Sequence, residues 1–257
     1  MAILTDSWRK LRAKAGPTVA AVLVTLVAVH VLFLLMIQLL HVQLASEVYW
    51  QWLALSWSNL AAGRVWTLLT YAALHDLGDP MHILFNCLGL FWFGAPIERQ
   101  WGRRGVLQVL LIAVLFGALM QLAADGIAGQ PGATVGASAG LMGLLAVFAW
   151  TNPNLQILLF FVLPIRARWL VAVVLGIDFI TWASGSHIAF WAHVGGVLGG
   201  WVVLHKLTSP KRIVAYVRAL AASYARSKGM RSRFDVLPGG RSRVDSSRRD
   251  RDRANWN

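Results

Sequence analysis

No Asp, Glu, Lys or Arg occurs between Lys14 and Glu47, and residues 17–40 inside that gap are almost wholly apolar. A helix needs about 20 such residues to cross a hydrocarbon core about 30 Å thick. This feature constrains the fold more than any other, and it recurs. Further apolar segments run over 80–97, 106–124, 138–150, 168–184 and 188–205. The expected fold is therefore an all-α polytopic membrane protein, a bundle of six transmembrane helices. A mean hydropathy of +0.58 agrees. The first run is too long for the apolar region of a signal peptide and lacks a clear cleavage site, so it reads as a retained span.

The distribution of charge decides between two meanings of the net +13. Of 24 Lys and Arg, 14 lie between Lys206 and Arg253 and four precede residue 15. Basic ends around an apolar middle are a topology signal rather than a surface for reading nucleic acid, and no nucleic-acid partner is expected. With six spans, every basic residue except Arg64 falls on one side, which places both termini in the cytosol. A five- or seven-span count breaks that pattern. The expected organisation is a basic N-terminus (1–16), a six-span core (17–206) and a basic tail (207–257). The expected location is the plasma membrane of a bacterium.

Three segments outside the spans carry their own signals. Residues 41–79 are too apolar for a free loop and too interrupted to span, so they are expected to lie partly in the interface, with Trp50, Trp52, Trp57 and Trp66 at headgroup level. Residues 125–137 are Gly-rich and irregular, which is tolerated at membrane depth only inside protein or along a wet cavity. In the tail, Ile213, Val214, Val217, Leu220 and Tyr224 recur at helical spacing among basic residues. That pattern predicts an interfacial helix facing anionic headgroups, followed by disorder beyond Arg231.

Polar residues inside spans are costly and mark function by default. Counting 1.5 Å per residue from each cytosolic helix end puts Ser138 about 18 Å up, His193 about 18–20 Å, Asn86 about 18 Å and His82 about 24 Å. Three spans thus bring a hydroxyl, two imidazoles and an amide to one layer in the outer half of the bilayer. Ser138 sits in Gly136-Ala137-Ser138-Ala139-Gly140, a G-x-S-x-G pattern that is weak by itself. With His193 at matching depth, the layer suits acyl transfer: His193 can take the proton from Ser138 as it attacks a carbonyl. His82 and Asn86, at i and i+4, can donate to the oxyanion. Asp178 lies about 15 Å from its own helix start, and nothing in the pattern aims it at His193. The expectation is a Ser–His dyad. Gly136, Gly140 and Gly143 on span four, and Gly196 and Gly200 on span six, form small-residue faces that allow these two spans to approach closely.

At this point the residues show a resemblance. "WTLLTYAALH", "MHILFN", "ERQWG", "GASAG" and "AHVGG", in this order over about residues 60–205, resemble the rhomboid family of intramembrane serine proteases. The resemblance implies six spans, Ser138 as nucleophile, His193 as base, His82 and Asn86 at the oxyanion, and no cofactor. It implies substrates that are transmembrane segments of other proteins, cut near the membrane surface at small residues. Three positions depart from the family pattern. Thr67 follows Trp66 where the family often has Arg, so Arg64 is expected to hold the outer loop. Met142 replaces an aromatic that stacks on the base. Ala139 stands where Gly often follows the serine.

The other histidines, His30, His41, His75 and His187, are expected to be structural. A metal site from His75, His82, His187 and His193 has irregular spacing and no acidic or Cys ligand, so no metal is expected. Glu98 is expected to tie down a cytosolic loop. The alternative function is a proteolytically silent relative that binds membrane helices as an adaptor. Such proteins generally lack the serine or the histidine, whereas this chain has both. A soluble α/β-hydrolase would need alternating strands and helices, which the chain does not show.

Overall fold

The computed structural model describes residues 2–206 except 130, 131, 160, 161 and 187, together with Arg218, Ser223 and Tyr224. The chain divides into two units, Met1–Thr208 and Ser209–Asn257, and every element below belongs to the first. The interfacial tail helix expected around 213–226 falls almost wholly outside the described residues, as does His187.

The fold is mostly helical. A short helix α1 (Ala2–Ala15) ends at Gly16, whose φ of 87° suits glycine. Next comes α2 (Pro17–Phe33), prolonged by a wider π-helical turn, Leu34–Leu39. Pro17 occupies the first position of α2, where a missing N–H costs nothing. The following amides, of Thr18 and Val19, both donate to the buried Glu98 carboxylate at 2.8 Å. Glu98 thus holds the start of the first apolar helix, where the positive end of the helix dipole favours it.

Residues 41–79 fold into α3 (Gln43–Glu47), α4 (Trp57–Ala61), α5 (Thr67–Thr70) and connecting turns. Side chains lace these pieces together. Arg64 donates to the Gln51 carbonyl and to Asn59 Oδ1, and its guanidinium lies 4.6 Å from the centre of the Trp52 ring. Trp52 stacks on Trp66 at 6.0 Å. Arg64 therefore does hold this loop. Trp50, Trp52, Trp57 and Trp66 are all exposed.

A long helical run, Pro80–Ala128, contains α6 (Pro80–Gly89), a π-helical turn (Leu90–Gly94) and α7 (Ala95–Ala128). It is broken at Gly102, with φ 67° and ψ −177°, between the two apolar segments read from the sequence. Helix α7 runs three residues beyond Asp125, into a region expected to be irregular. The Gln121 side chain donates to Asp125 one turn on, at 2.8 Å, and supports the extra turn. Pro17–Leu39 and Pro80–Ala128 are long and apolar enough to cross a membrane; α8 (Ser138–Thr151) and α10 (Phe190–Leu204) are shorter apolar helices.

Between α8 and α9 (Ala167–Ala183) lies a hairpin of β1 (Gln156–Leu159) and β2 (Leu163–Arg166), antiparallel with Gln156 opposite Arg166. Nothing in the sequence reading anticipated it.

The core is a three-helix contact in which α10 packs on both α7 and α8. Gly196 and Gly200 meet the backbone of Ala139 and Gly143 on α8. Gly195 and Gly199, on the adjoining stripe, meet Phe116, Gly117 and Ala113 on α7. Gly143 fits between Ala113 of α7 and the Gly196 carbonyl of α10. Two of the expected packing glycines have other duties. Gly140 faces Leu110 and Val114 on α7 rather than α10, and Gly136 faces His82.

Candidate active site

Ser138 is the first residue of α8 and is half-buried. The amides of a first helical turn lack intrahelical acceptors, so its own N–H is available and the dipole favours an anion there. The segment before it is pinned on both sides. Leu55 and Thr134 exchange a pair of backbone hydrogen bonds at 3.0 and 2.8 Å, and the Gly136 amide donates to the Tyr71 carbonyl at 3.0 Å. The residue two ahead of the serine, Gly136, has φ 131°, a conformation that L side chains rarely adopt. A methyl there would sit 2.8 Å from His82 Nε2 and 3.6 Å from Ser138 Oγ. The hydroxyl and the imidazole therefore border one small space that only glycine leaves open.

His82 and Asn86 stand one turn apart on α6. The Asp76 amide donates to His82 Nδ1 at 3.3 Å, which places the ring proton on Nε2, beside Gly136. Asn86 is 4% exposed; one of its amide protons goes to the His82 carbonyl at 2.8 Å, and its Oδ1 is buried without a partner.

His193, on α10, is 8% exposed. Gly117 records how close its helix comes to that of Ser138. A methyl on Gly117 would lie 2.9 Å from the Ala192 carbonyl oxygen and against the Ala139 methyl. The neighbours in sequence of His193 and of Ser138 thus converge on one glycine of α7. The Gln121 side chain, also on α7, accepts the Ala192 amide at 3.1 Å.

The expectation that no carboxylate is aimed at His193 is corrected here. Asp178 Oδ2 lies 2.7 Å from His193 Nδ1, and both residues are buried. Depth along α9, counted from its start, gave no sign of this contact, because a count along one helix does not fix its rotation or its neighbour. A signal was present: a lone acid in an otherwise apolar helix is costly without a partner.

Of the remaining histidines, His30 and His75 extend in a row from His82, with ring centres 6.4 and 5.2 Å apart. His75 is fully buried with neither ring nitrogen paired, and burial pushes its pKa down to about 3, helped by the nearby His82 and His30. Among the described residues no cluster of His, Cys, Asp or Glu is arranged to hold a metal ion. Met142, four residues after Ser138, is buried in a cluster with Leu145 and Leu170.

Ser138 and His82 thus border one space at Gly136, and His193 meets Asp178 across α10 and α9. The comparisons are specific about lineage. A profile of the rhomboid domain matches residues 62–209, and this chain belongs to the rhomboid family. It is 32% identical over 158 residues to RHOMBOID-like protein 12, mitochondrial, of Arabidopsis thaliana, covering 55% of this chain and 46% of that protein. It is 29% identical over 168 residues to Rhomboid protease GluP of Bacillus subtilis, covering 64% and 30%. It is 25% identical over 195 residues to Rhomboid protease GlpG of Yersinia pestis, covering 74% and 62%. The chain spans less than two thirds of the length of each of these relatives. Family membership makes it an integral membrane protein.

Proposed function

We propose that this chain is an intramembrane serine endopeptidase acting on transmembrane segments of other proteins. Its Ser138 hydroxyl attacks the scissile carbonyl carbon while His193 takes the proton. The oxyanion accepts hydrogen bonds from His82 Nε2–H, Asn86 Nδ2–H and the Ser138 N–H, donors already in place before the charge develops. Collapse of the tetrahedral intermediate expels the amine, which recovers the proton from His193, and water then hydrolyses the acyl-enzyme. The observation that carries this reading is that Ser138 Oγ and His82 Nε2 border the same space at Gly136.

The reading includes a six-span core over 17–206 with both termini cytosolic, in the plasma membrane of a bacterium. The Gly102 break between the second and third spans and the basic residues gathered on one side support it. Anionic headgroups would meet the basic tail, 207–257.

The test is covalent. A fluorophosphonate probe should label the detergent-solubilised protein at Ser138, and Ser138→Ala should abolish both labelling and cleavage of a single-span substrate. Labelling that persists in the variant would overturn the assignment. Binding of single-span segments without any cleavage by the wild type would make the chain an adaptor.

A further inference from the structure

The contact at the far side of His193 adds a third member to the site. Helix α9 is apolar along its length, and Ile177, Phe179 and Ile180 around Asp178 are all exposed. Asp178 itself is turned inward, 9% exposed, with Oδ2 at 2.7 Å from His193 Nδ1. A carboxylate amid apolar helix faces is expensive unless it is paired. His193 is the partner.

We propose that Asp178 is a positioning residue that holds His193 in its reactive tautomer, so that the site is an Asp178–His193–Ser138 relay drawn from α9, α10 and α8. The proposal rests on the peptidase reading above. A carboxylate can only accept, so the shared proton sits on Nδ1, and Nε2 keeps the lone pair that must take the proton from Ser138. When that proton arrives, the ring becomes an imidazolium with a carboxylate 2.7 Å from its other nitrogen. The carboxylate stabilises that cation in surroundings where water is scarce and charges interact strongly. No proton needs to reach Asp178. Where this constellation is built on unrelated soluble folds, converting the acid to its amide lowers kcat by about 10⁴ because the wrong tautomer results.

A purely structural role, a clip between α9 and α10, is the rival account. The clip already exists elsewhere. Phe179 and Trp182 of α9 pack on Phe190 of α10, with ring centres 5.6 and 5.8 Å apart, and Trp182 also meets Trp191. Leu170 of α9 is buried with Met142 and Leu145 of α8. Asp178→Asn should therefore leave α9 docked.

Asp178 faces His193 from α9, and His82 on α6 stands near it. On α7, Asp125 is tied to Gln121, whose other amide atom holds the Ala192 N–H. Of these, Asp178 alone touches the ring.

The experiment uses the full chain in proteoliposomes, comparing wild type, Asp178→Asn and Asp178→Glu on one single-span substrate. Asp178→Asn should lower kcat by about 10²–10⁴. KM should stay within about threefold, because Asp178 touches no substrate. Asp178→Glu should recover part of the rate. In protein labelled with ¹⁵N-histidine and carrying Ser138→Ala, a strongly downfield Nδ1–H resonance should be present and should vanish on adding Asp178→Asn. That readout needs no catalysis, so it separates failure of this proposal from failure of the peptidase reading. An Asp178→Asn enzyme retaining at least half of kcat would overturn the proposal. So would a resonance that survives the substitution.

Discussion

The approach of α10 to α8 is the contact on which the candidate site depends, and Gly196→Ala tests it most directly. A methyl at Gly196 would lie 2.8 Å from the Ala139 carbonyl carbon and 2.9 Å from its Cα, with the Ala139 oxygen closer still. All three atoms are backbone, so no side chain can swing aside. Carbon atoms in contact sit about 3.5–4.0 Å apart, and the two helices must therefore part by about 0.6–1.2 Å at that point. Ala139 adjoins Ser138, and Gly196 is one turn from His193. A misplacement of about 1 Å between reacting groups costs about 10²-fold in rate, or about 2.7 kcal/mol of barrier. For stability, overpacking costs about 1–3 kcal/mol, while replacing a helical Gly by Ala returns up to about 1 kcal/mol. The expected result is a folded protein, destabilised by at most about 3 kcal/mol, whose kcat falls about a hundredfold. The assay is cleavage of a single-span substrate in proteoliposomes alongside thermal unfolding in detergent. Gly176→Ala on α9, where nothing lies within 4 Å, is the control and should match wild type in rate. A Gly196→Ala protein within threefold of wild-type kcat would refute the claim that this backbone contact sets the Ser138–His193 geometry.

Two further predictions concern groups outside the reacting set. Glu98→Ala orphans the Thr18 and Val19 amides at the start of α2 and should cost about 2–4 kcal/mol, seen as a lowered melting temperature, with Glu98→Gln costing less and kcat of the folded enzyme unchanged by either. His75 has its folded-state pKa depressed from 6.5 to about 3 by burial, then by the charges of His82 and His30. An unfolded chain therefore binds the extra proton first as pH falls, so this contribution is intact above about pH 6.5 and is lost progressively toward pH 3. His75→Gln should flatten the dependence of melting temperature on pH between 7 and 5; an unchanged slope would show that another group carries it.

What the sequence by itself determined follows from interactions that are local or periodic. Apolar runs located the described helices at 17–39, 138–151, 167–183 and 190–204 to within a few residues, and two further runs fall within the helical stretch 80–128, because helix length and hydrocarbon thickness are both fixed. The common depth expected for Ser138, His82, Asn86 and His193 has a related origin: distance along a helix is a function of residue number, so depth can be counted. The short hairpin at 156–166 was not legible, since three of its four pairs join apolar residues with no alternation to reveal them. Only the tertiary structure decided which faces meet. It set Gly195 and Gly199 of α10 against α7, sent Gly140 to Leu110 and Val114, and opened a space at Gly136 beside His82. It also turned Asp178 onto His193. Depth along a helix is a one-dimensional quantity that sequence supplies, whereas rotation about the helix axis and choice of neighbour depend on how all the helices pack together.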